Sequence, residues 1–289
     1  MSRWITLNEP FVYTMFGHRQ GVMAPGMRDL AITAKAVHHS HLAHGLAVQA
    51  FRASGKQGEI GLTNANTSYE PFDESPETAA AVELAWDFDA RLFHGPVYGK
   101  GYPNSVLEYY GSRGATFPIQ AGDMETIAAR TDFLGTNLYS REVVQATPGR
   151  GTGFAPAART LPLTPMGYEA APHALGDFVR WVSNEYGRPP IYITENGVCD
   201  NTEPIGGVVD DQDRIALLRG FLAGLHGAIQ DGADVRGYYV WSLMDNFEWS
   251  FGFSKRFGIV HTNFDTQERL PKRSAAFYSE VIRENGVSV

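Results

Sequence analysis

Five short segments of the chain consist largely of apolar, aromatic and β-branched residues and have the length of buried strands. They are residues 4–7, 60–63, 133–139, 191–194 and 238–243. Continuous apolar segments, as opposed to alternating ones, are typical of parallel strands whose sheet is covered by helices. We therefore predict five strands of a mostly parallel sheet.

Three longer segments carry apolar residues at three- and four-residue spacings. They are residues 31–53, 173–187 and 210–233. This spacing predicts helices with one apolar face. The second ends on a glycine, and the third begins with aspartates and ends near a glycine, which are start and stop signals of helices. Strands that alternate with helices predict parallel β/α units.

Residues 146–165 are rich in glycine, proline and threonine and are predicted to form a long loop within a single domain that covers residues 1–289. The loop contains the letters GRGTG. No predicted strand leads into this segment, so we do not expect a phosphate-binding loop there.

Composition and charge exclude several classes of protein. The net charge of -8 argues against binding to nucleic acid, which needs a basic surface. No stretch approaches about 18 uninterrupted apolar residues, so no membrane span is expected. The single cysteine, Cys199, excludes an internal disulfide. It suits a reducing compartment, and with no signal peptide in the sequence we expect a cytoplasmic protein.

Polar and aromatic side chains follow the predicted strands at their carboxyl ends. They are Asn8, Glu9, Asn137, Tyr139, Glu195, Trp241, Asp245, Glu248 and Trp249. In a closed barrel of parallel strands these ends meet at one mouth, where active sites lie. Two glutamates there can cleave a glycosidic bond, one as a proton donor and one as an ionised nucleophile or base. Nearby aromatic rings can stack on a sugar. Asp245 is interpreted as structural.

Four motifs carry a resemblance to a known family: "WITLNEP", "IYITENG", "GYYVWSLMDNFEW" and "SKRFGIVHTNFDTQ". In this order they resemble glycoside hydrolase family 1, the retaining β-glucosidases and β-glycosidases, along the whole chain. The resemblance implies a TIM (β/α)8-type barrel of which strands 4 to 8 are present. It also implies hydrolysis of terminal, non-phosphorylated β-D-hexosides by double displacement.

The resemblance further assigns roles to residues. Glu9 is expected to be the general acid/base and Glu195 the nucleophile. Retention of configuration requires their carboxyl groups to be about 5–5.5 Å apart, and the charge of Glu195 should then raise the pKa of Glu9. No cofactor and no metal ion are needed for this chemistry.

The same resemblance predicts the substrate-binding residues. Asn8 is expected to hold the sugar 2-hydroxyl, Tyr139 to hydrogen-bond the nucleophile, and Trp241 to form the floor of the glycone pocket. Glu248 and Trp249 are expected to bind the hydroxyls farthest from the scissile bond. The remaining predicted member of this set is Asn137.

Each assignment has a structural alternative. Glu9 before a proline could simply end a strand, and Glu195 could begin an Asn-Gly turn. Asn137 and Tyr139 could merely complete their strand, and Trp241 could belong to the core.

The histidines of the first predicted helix raise the alternative of a metal site, because His41 and His44 are three positions apart. The carboxylates that a metal would need beside them are missing from this segment, so we expect no metal there. In addition, Met23 stands where relatives often have histidine. Tyr168 stands where they often have tryptophan, on the aglycone side.

The length of the chain is short for the family. The five predicted strands begin on average about 58 residues apart, so eight units would need on the order of 460 residues, against 289 here. The first three β/α units are therefore expected to be absent. In the family, these units supply a glutamine, a His-Trp pair and an arginine beside the nucleophile, so these residues are expected to be absent as well. Without the arginine cation, the pKa of Glu195 should rise.

An open barrel leaves unpaired strand edges, so the chain is expected to form a homo-oligomer or to be complemented by an N-terminal segment. The alternative function is an inactive or solely sugar-binding barrel fragment. An oxidoreductase is disfavoured, because no dinucleotide-binding fingerprint follows a strand.

Overall fold

The five predicted strands are present in the computed structural model, which describes residues 2–287. The strands are β1 (Arg3–Asn8), β2 (Glu59–Pro71), β3 (Phe133–Ala146), β4 (Phe154–Pro156), β5 (Ile191–Asn196), β6 (Val235–Val240), β7 (Val260–Thr262) and β8 (Arg269–Pro271). The main sheet has the order β1-β2-β3-β5-β6, with β4 paired to β3, and β7 and β8 form a separate antiparallel pair. β1 and β2 are parallel, as the apolar segments predicted.

The three predicted helices are also present. The helices are α1 (Leu30–Ala53), α2 (Pro76–Phe88), α3 (Ala90–His94), α4 (Asn104–Gly111), α5 (Asp123–Ile127), α6 (Ala174–Glu185), α7 (Gln212–Gln230) and α8 (Arg273–Glu284), with a π-helical segment at Val12–Arg19. The Asp29 side chain caps α1 by accepting from the backbone N–H of Ile32. α6 and α7 are followed by Gly187 and Gly232, both with positive φ, which confirms the predicted stop signals.

Two strands extend well beyond the predicted segments, β6 begins and ends three residues before the predicted segment 238–243, and three short strands, β4, β7 and β8, were missed. β2 continues to Pro71 through polar residues, of which Asn64, Asn66 and Ser68 are buried. β3 continues to Ala146 because its extension pairs antiparallel with β4. The prediction of a long loop over 146–165 is therefore wrong at Phe154–Pro156, which forms β4. A three-residue strand stabilised by a neighbouring strand leaves no periodicity in the sequence.

The chain divides into two compact units. The first comprises residues 1–137, 142–158 and 189–192, and the second comprises residues 138–141, 159–188 and 193–289. In the first unit, α1 and α4 enclose an aromatic core that includes Phe93, Tyr102, Tyr110 and Phe117. Their rings pack edge-on or tilted, as in the 4.7 Å contact between Tyr102 and Phe117.

The histidines of α1 bind protein groups. His41 contacts the Tyr102 hydroxyl through Nδ1 at 3.0 Å and the Phe93 carbonyl through Nε2 at 3.2 Å. His38 contacts the same hydroxyl at 3.0 Å and Asp123 at 2.9 Å. His44 Nδ1 lies 2.6 Å from the Thr6 hydroxyl. Burial lowers the pKa of His41 to about 3 and that of His44 to about 4. Both ring nitrogens of His41 are thus occupied, which argues against the metal alternative.

A buried carboxyl group joins the α2–α3 corner to β2 in the first unit. Asp89 is 2% exposed, and its Oδ2 accepts from the Thr67 N–H at 3.2 Å and from the Tyr69 hydroxyl at 3.0 Å. Its Oδ1 is buried and has no hydrogen-bond partner within residues 2–287. Burial raises the pKa of Asp89 to about 7, and the charge of Glu142 acts in the same direction.

In the second unit, a buried arginine forms hydrogen bonds to several segments around α7. Arg214 is 1% exposed and forms a 2.8 Å salt bridge with Asp211. Its guanidinium also donates to the backbone carbonyls of Val198 and Phe257, at 2.8 and 2.7 Å. Asp211 in turn accepts from the backbone N–H of Ser274 at the start of α8. Each charge is therefore compensated, as burial requires.

Asp245 has the structural role that its sequence context indicated. The carboxylate is buried, 2.9 Å from the Lys272 ammonium and 2.9 Å from the Arg256 guanidinium. It also accepts from the backbone N–H groups of Gly258 and Thr262. These contacts hold the segment after β6 against β7 and the start of α8. In the part of the chain that the structure covers, no helix has the length and apolarity needed to cross a membrane.

Candidate active site

The acid/base candidate lies in the first unit, directly after β1. Glu9 has a φ of 51°, a left-handed conformation that is uncommon for a residue other than glycine and costs of order 1 kcal/mol. Its backbone N–H donates to the carbonyl of Thr63 on β2 at 2.9 Å, which fixes this conformation. The strand thus ends at Asn8, and the strained turn fixes the backbone from which the Glu9 side chain projects. Strain of this kind is often found at functional sites.

Asn137 on β3 joins this group. Its Nδ2 donates to Oε1 of Glu9 at 2.7 Å and to Oδ1 of Asn8 at 3.1 Å. Asn137 is 1% exposed, so solvent does not compete for these hydrogen bonds. Asn137 is therefore brought next to two predicted site residues, Asn8 and Glu9, that are 129 and 128 positions away in sequence, all within the first unit.

The nucleophile candidate lies in the second unit, near the end of β5. The hydroxyl of Tyr139 donates to Oε2 of Glu195 at 2.7 Å. The Tyr139 ring packs edge-on against Phe257, with the ring centroids 5.8 Å apart. A hydrogen bond donated to a carboxylate favours its ionised form, which is the form that a nucleophile needs.

The residue after Glu195 is a functional neighbour that sequence reasoning missed. Asn196 is fully buried, and its Nδ2 donates to the carbonyl of Leu138 at 2.6 Å. Its Oδ1 accepts from the Tyr238 hydroxyl at 2.6 Å. Within the second unit it therefore ties residues of β3, β5 and β6 together and fixes the backbone that carries Glu195. The sequence shows only an asparagine before a glycine, which is also the pattern of a turn.

The turn alternative for Glu195 does not match the structure, because β5 continues through Asn196. Gly197 follows, and a Cβ there would lie 1.8 Å from the carbonyl oxygen of Trp241. This glycine therefore permits a close approach of two backbones at the strand ends.

The remaining predicted residues follow β6 in the second unit. Glu248 is half-buried, and burial raises the pKa of its carboxyl group. It accepts from Nδ2 of Asn246 at 3.2 Å and is hydrogen-bonded by the side chain of Trp241. Trp249 is 71% exposed, with a φ of 42°. Asn246 was not predicted from the sequence, since nothing in "DNFEW" distinguishes it from an ordinary loop asparagine.

Comparison with known proteins identifies the family. The sequence profile of Glycosyl hydrolase family 1 matches residues 1–287. The chain is 41% identical over 289 residues to β-glucosidase A of Thermotoga maritima and 40% identical over 289 residues to β-glucosidase A of Acetivibrio thermocellus. These alignments cover 99% and 98% of this chain and 64% of each relative.

Solved structures give the same answer. A Thermotoga maritima family 1 glycoside hydrolase, complexed with a cyclophellitol analogue transition state mimic, matches with a TM-score of 0.94 and 41% identity. The AHE enzyme from Alicyclobacillus herbarius matches with a TM-score of 0.93 and 39% identity. The matches cover 99% and 98% of this chain and 64% of each structure.

The fold is thus that of a barrel glycosidase, which confirms the expected partial (β/α)8-type fold. The chain belongs to Glycosyl hydrolase family 1. It spans about 64% of the length of the relatives that it matches. The roles of the individual site residues, the separation of Glu9 and Glu195 and the single-domain organisation remain predictions.

Proposed function

We propose that this chain carries the catalytic carboxyl groups of a retaining β-glycosidase that acts on terminal, non-phosphorylated β-D-hexosides. The observation that carries the proposal is the 2.7 Å hydrogen bond from Tyr139 to Glu195, because it supplies an oriented, ionised carboxylate at the end of a barrel strand. The names of the relatives, which are β-glucosidases, support the substrate class.

The mechanism is a double displacement. An oxygen of Glu195 attacks the anomeric carbon while Glu9 transfers its proton to the departing glycosidic oxygen, so the carbon–oxygen bond to the aglycone breaks. Glu9, now ionised, removes a proton from a water molecule that attacks the same carbon. The bond to Glu195 breaks, and the sugar leaves with its configuration retained. The protons balance, and the cycle needs neither a metal ion nor a redox cofactor.

The residues after β6 support recognition of the sugar. Glu248 is held by Asn246 and Trp241, and it can accept hydrogen bonds from sugar hydroxyls. Desolvation of this carboxylate makes each such hydrogen bond stronger than it would be in water. The exposed ring of Trp249 offers an apolar face beside it.

Hydrolysis of a chromogenic β-glucoside by the full chain tests the proposal. Glu195→Gln should abolish turnover, whereas Glu203→Gln, which changes an exposed carboxylate of the same unit, should leave it unchanged. Turnover that survives Glu195→Gln would refute the assignment. An independent test is trapping with a 2-fluoro-glucoside, after which mass spectrometry should locate the sugar on the peptide that contains Glu195.

A second candidate is a sugar-binding fragment that needs a further polypeptide for catalysis. The chain covers 64% of its relatives, and β1 and β6 stand at the two ends of the strand order. β1 exposes Trp4 and Ile5, at 39% and 45%, and β6 exposes Tyr239 at 49%. Apolar edge strands of this kind pair readily with another chain. We infer that these edges bind either a second copy of the chain or a complementary segment.

Size-exclusion chromatography with light scattering tests this inference. A dimer or larger assembly would support self-association, and activity that appears only with an added segment of a relative would support complementation. A stable monomer with full activity would contradict both. We place the protein in the cytoplasm, which agrees with its single, buried, unpaired cysteine, Cys199.

A further inference from the structure

A single buried amide group contacts both the acid/base candidate and its neighbour. The NH2 group of Asn137 has two hydrogens, and the structure provides an acceptor for each: Oε1 of Glu9 at 2.7 Å and Oδ1 of Asn8 at 3.1 Å. Both acceptors are oxygens, so the nitrogen of this carboxamide is the group that faces them. With both hydrogens used in this way, Nδ2 of Asn137 has none left to donate to a sugar.

We propose that Asn137 is a positioning residue, which places the catalytic proton on Oε2 of Glu9 and turns the amide nitrogen of Asn8 toward the substrate. The inference rests on the proposed function for the meaning of that proton. It replaces a direct sugar contact of Asn137, which the family resemblance had indicated.

The position of the proton follows from the strength of the acceptors. In a neutral carboxyl group, the carbonyl oxygen accepts a hydrogen bond better than the hydroxyl oxygen does. An N–H donor held 2.7 Å from Oε1 of Glu9 therefore makes Oε1 the carbonyl oxygen and Oε2 the hydroxyl. The proton then leaves from, and returns to, the same oxygen in both steps of the reaction.

The orientation of Asn8 follows from the same contact. Oδ1 of Asn8 accepts from Asn137, so its own NH2 group lies on the opposite side of the carboxamide. The Asn8 side chain is exposed, whereas that of Asn137 is buried. Asn8 is therefore presented as a donor, which suits an acceptor oxygen such as that of the sugar 2-hydroxyl.

The group is held rigidly enough for this selection. Asn137 lies within β3, and the Glu9 backbone is fixed in its left-handed conformation by the hydrogen bond to Thr63. A pre-oriented donor keeps the carboxyl group from rotating and exchanging its two oxygens. Such positioning is worth more in catalysis than its contribution to stability.

Carbon-13 NMR of the full chain, with glutamate labelled at the side-chain carboxyl carbon, tests the proposal without need of turnover. Glu9→Gln identifies the Glu9 signal by its loss. Asn137→Ala should raise the apparent pKa of Glu9 by about one unit, because the ionised form loses a hydrogen-bond donor. Asn137→Asp is isosteric and should raise it further. The matched control is Thr136→Val, a near-isosteric change one position away on the other face of β3. It should leave the pKa of Glu9 unchanged.

A Glu9 titration that is identical in Asn137→Ala and the unmodified chain would overturn the proposal. Should the variants not fold, the test can be made on the unmodified chain by following the NMR signal of the Asn137 side-chain amide as the pH is varied. A signal that does not move with the titration of Glu9 would also overturn the proposal.

Hydrolysis separates this inference from the proposed function. Asn137→Ala should slow the cleavage of phenyl β-glucoside, which needs the proton, about tenfold more than that of 2,4-dinitrophenyl β-glucoside, which does not. Equal effects on both substrates would contradict the positioning role. A chain without any turnover, but with the expected NMR shifts, would contradict only the proposed catalysis.

Discussion

The buried carboxyl group of Asp89 should make the stability of the chain depend on pH in a defined direction. The ordinary pKa of aspartate is 3.8, and burial raises that of Asp89 to about 7. Below the lower value, both the folded and the unfolded chain hold the proton, and the site costs nothing. Between the two values the unfolded chain gains by ionising, so the free energy of unfolding falls as the pH rises. Above about 7 the loss is complete and constant.

The size of this loss follows from the shift. About three pKa units at roughly 1.4 kcal/mol each give about 4 kcal/mol at alkaline pH. Asp89→Asn should remove it, because the amide oxygen can take the place of Oδ2 and accept from Thr67 and Tyr69. The amide nitrogen would then occupy the position of Oδ1, where the protonated acid has its hydroxyl group.

Urea unfolding followed by tryptophan fluorescence, at about pH 5 and about pH 8.5, provides the assay. The gain in unfolding free energy from Asp89→Asn should be about 3 kcal/mol larger at the higher pH. Asp213→Asn, at an exposed site on α7, should show the same small effect at both values. An Asp89→Asn effect that is equal at both pH values would refute the assignment of a strongly raised pKa.

Three further changes test individual contacts. Tyr139→Phe removes the donor to Glu195 and should slow trapping by a 2-fluoro-glucoside about 10- to 100-fold; an unchanged rate would contradict the role of the hydroxyl. Lys272→Met leaves a buried aspartate short of one cation and should lower the free energy of unfolding by about 3 kcal/mol, and a loss under 1 kcal/mol in urea would argue against the pairing. Gly197→Ala should abolish the cooperative thermal transition because of its 1.8 Å backbone clash, whereas Gly111→Ala, with open space around its Cβ, should keep it.

Apolar segments sufficed to predict the start of four strands to within one residue, but not where β6 begins or where β2 and β3 end. The pattern argument assumes that a buried strand is apolar, and β2 continues through the buried Asn64 and Asn66. These amides hydrogen-bond to distant partners: Nδ2 of Asn66 donates to Thr136, and Oδ1 of Asn64 accepts from the Phe11 N–H. Such a strand cannot be recognised before its partners are known.

In the candidate site, too, some residues could be predicted from the sequence and others could not. The motifs predicted Glu9, Glu195 and Tyr139 because they contain these residues within long matching segments. The buried hydrogen bonds of Asn196, by contrast, reach the Tyr238 hydroxyl, 42 positions away, and the Leu138 carbonyl, 58 positions away. No spacing pattern in the local sequence indicates them.

The Tyr102 hydroxyl between two histidines has a consequence for where protons reside inside the first unit. Nε2 of His41 faces a carbonyl and must carry hydrogen, so Nδ1 of this neutral ring takes the hydrogen of Tyr102. The Tyr102 oxygen is then left to accept from Nδ1 of His38. Nε2 of His38 in turn lies 2.9 Å from a carboxylate oxygen of Asp123. One continuous chain of hydrogen bonds therefore runs from the Phe93 carbonyl through His41, Tyr102 and His38 to Asp123, and the tautomer that Phe93 imposes on His41 sets the direction in which the Tyr102 hydroxyl donates.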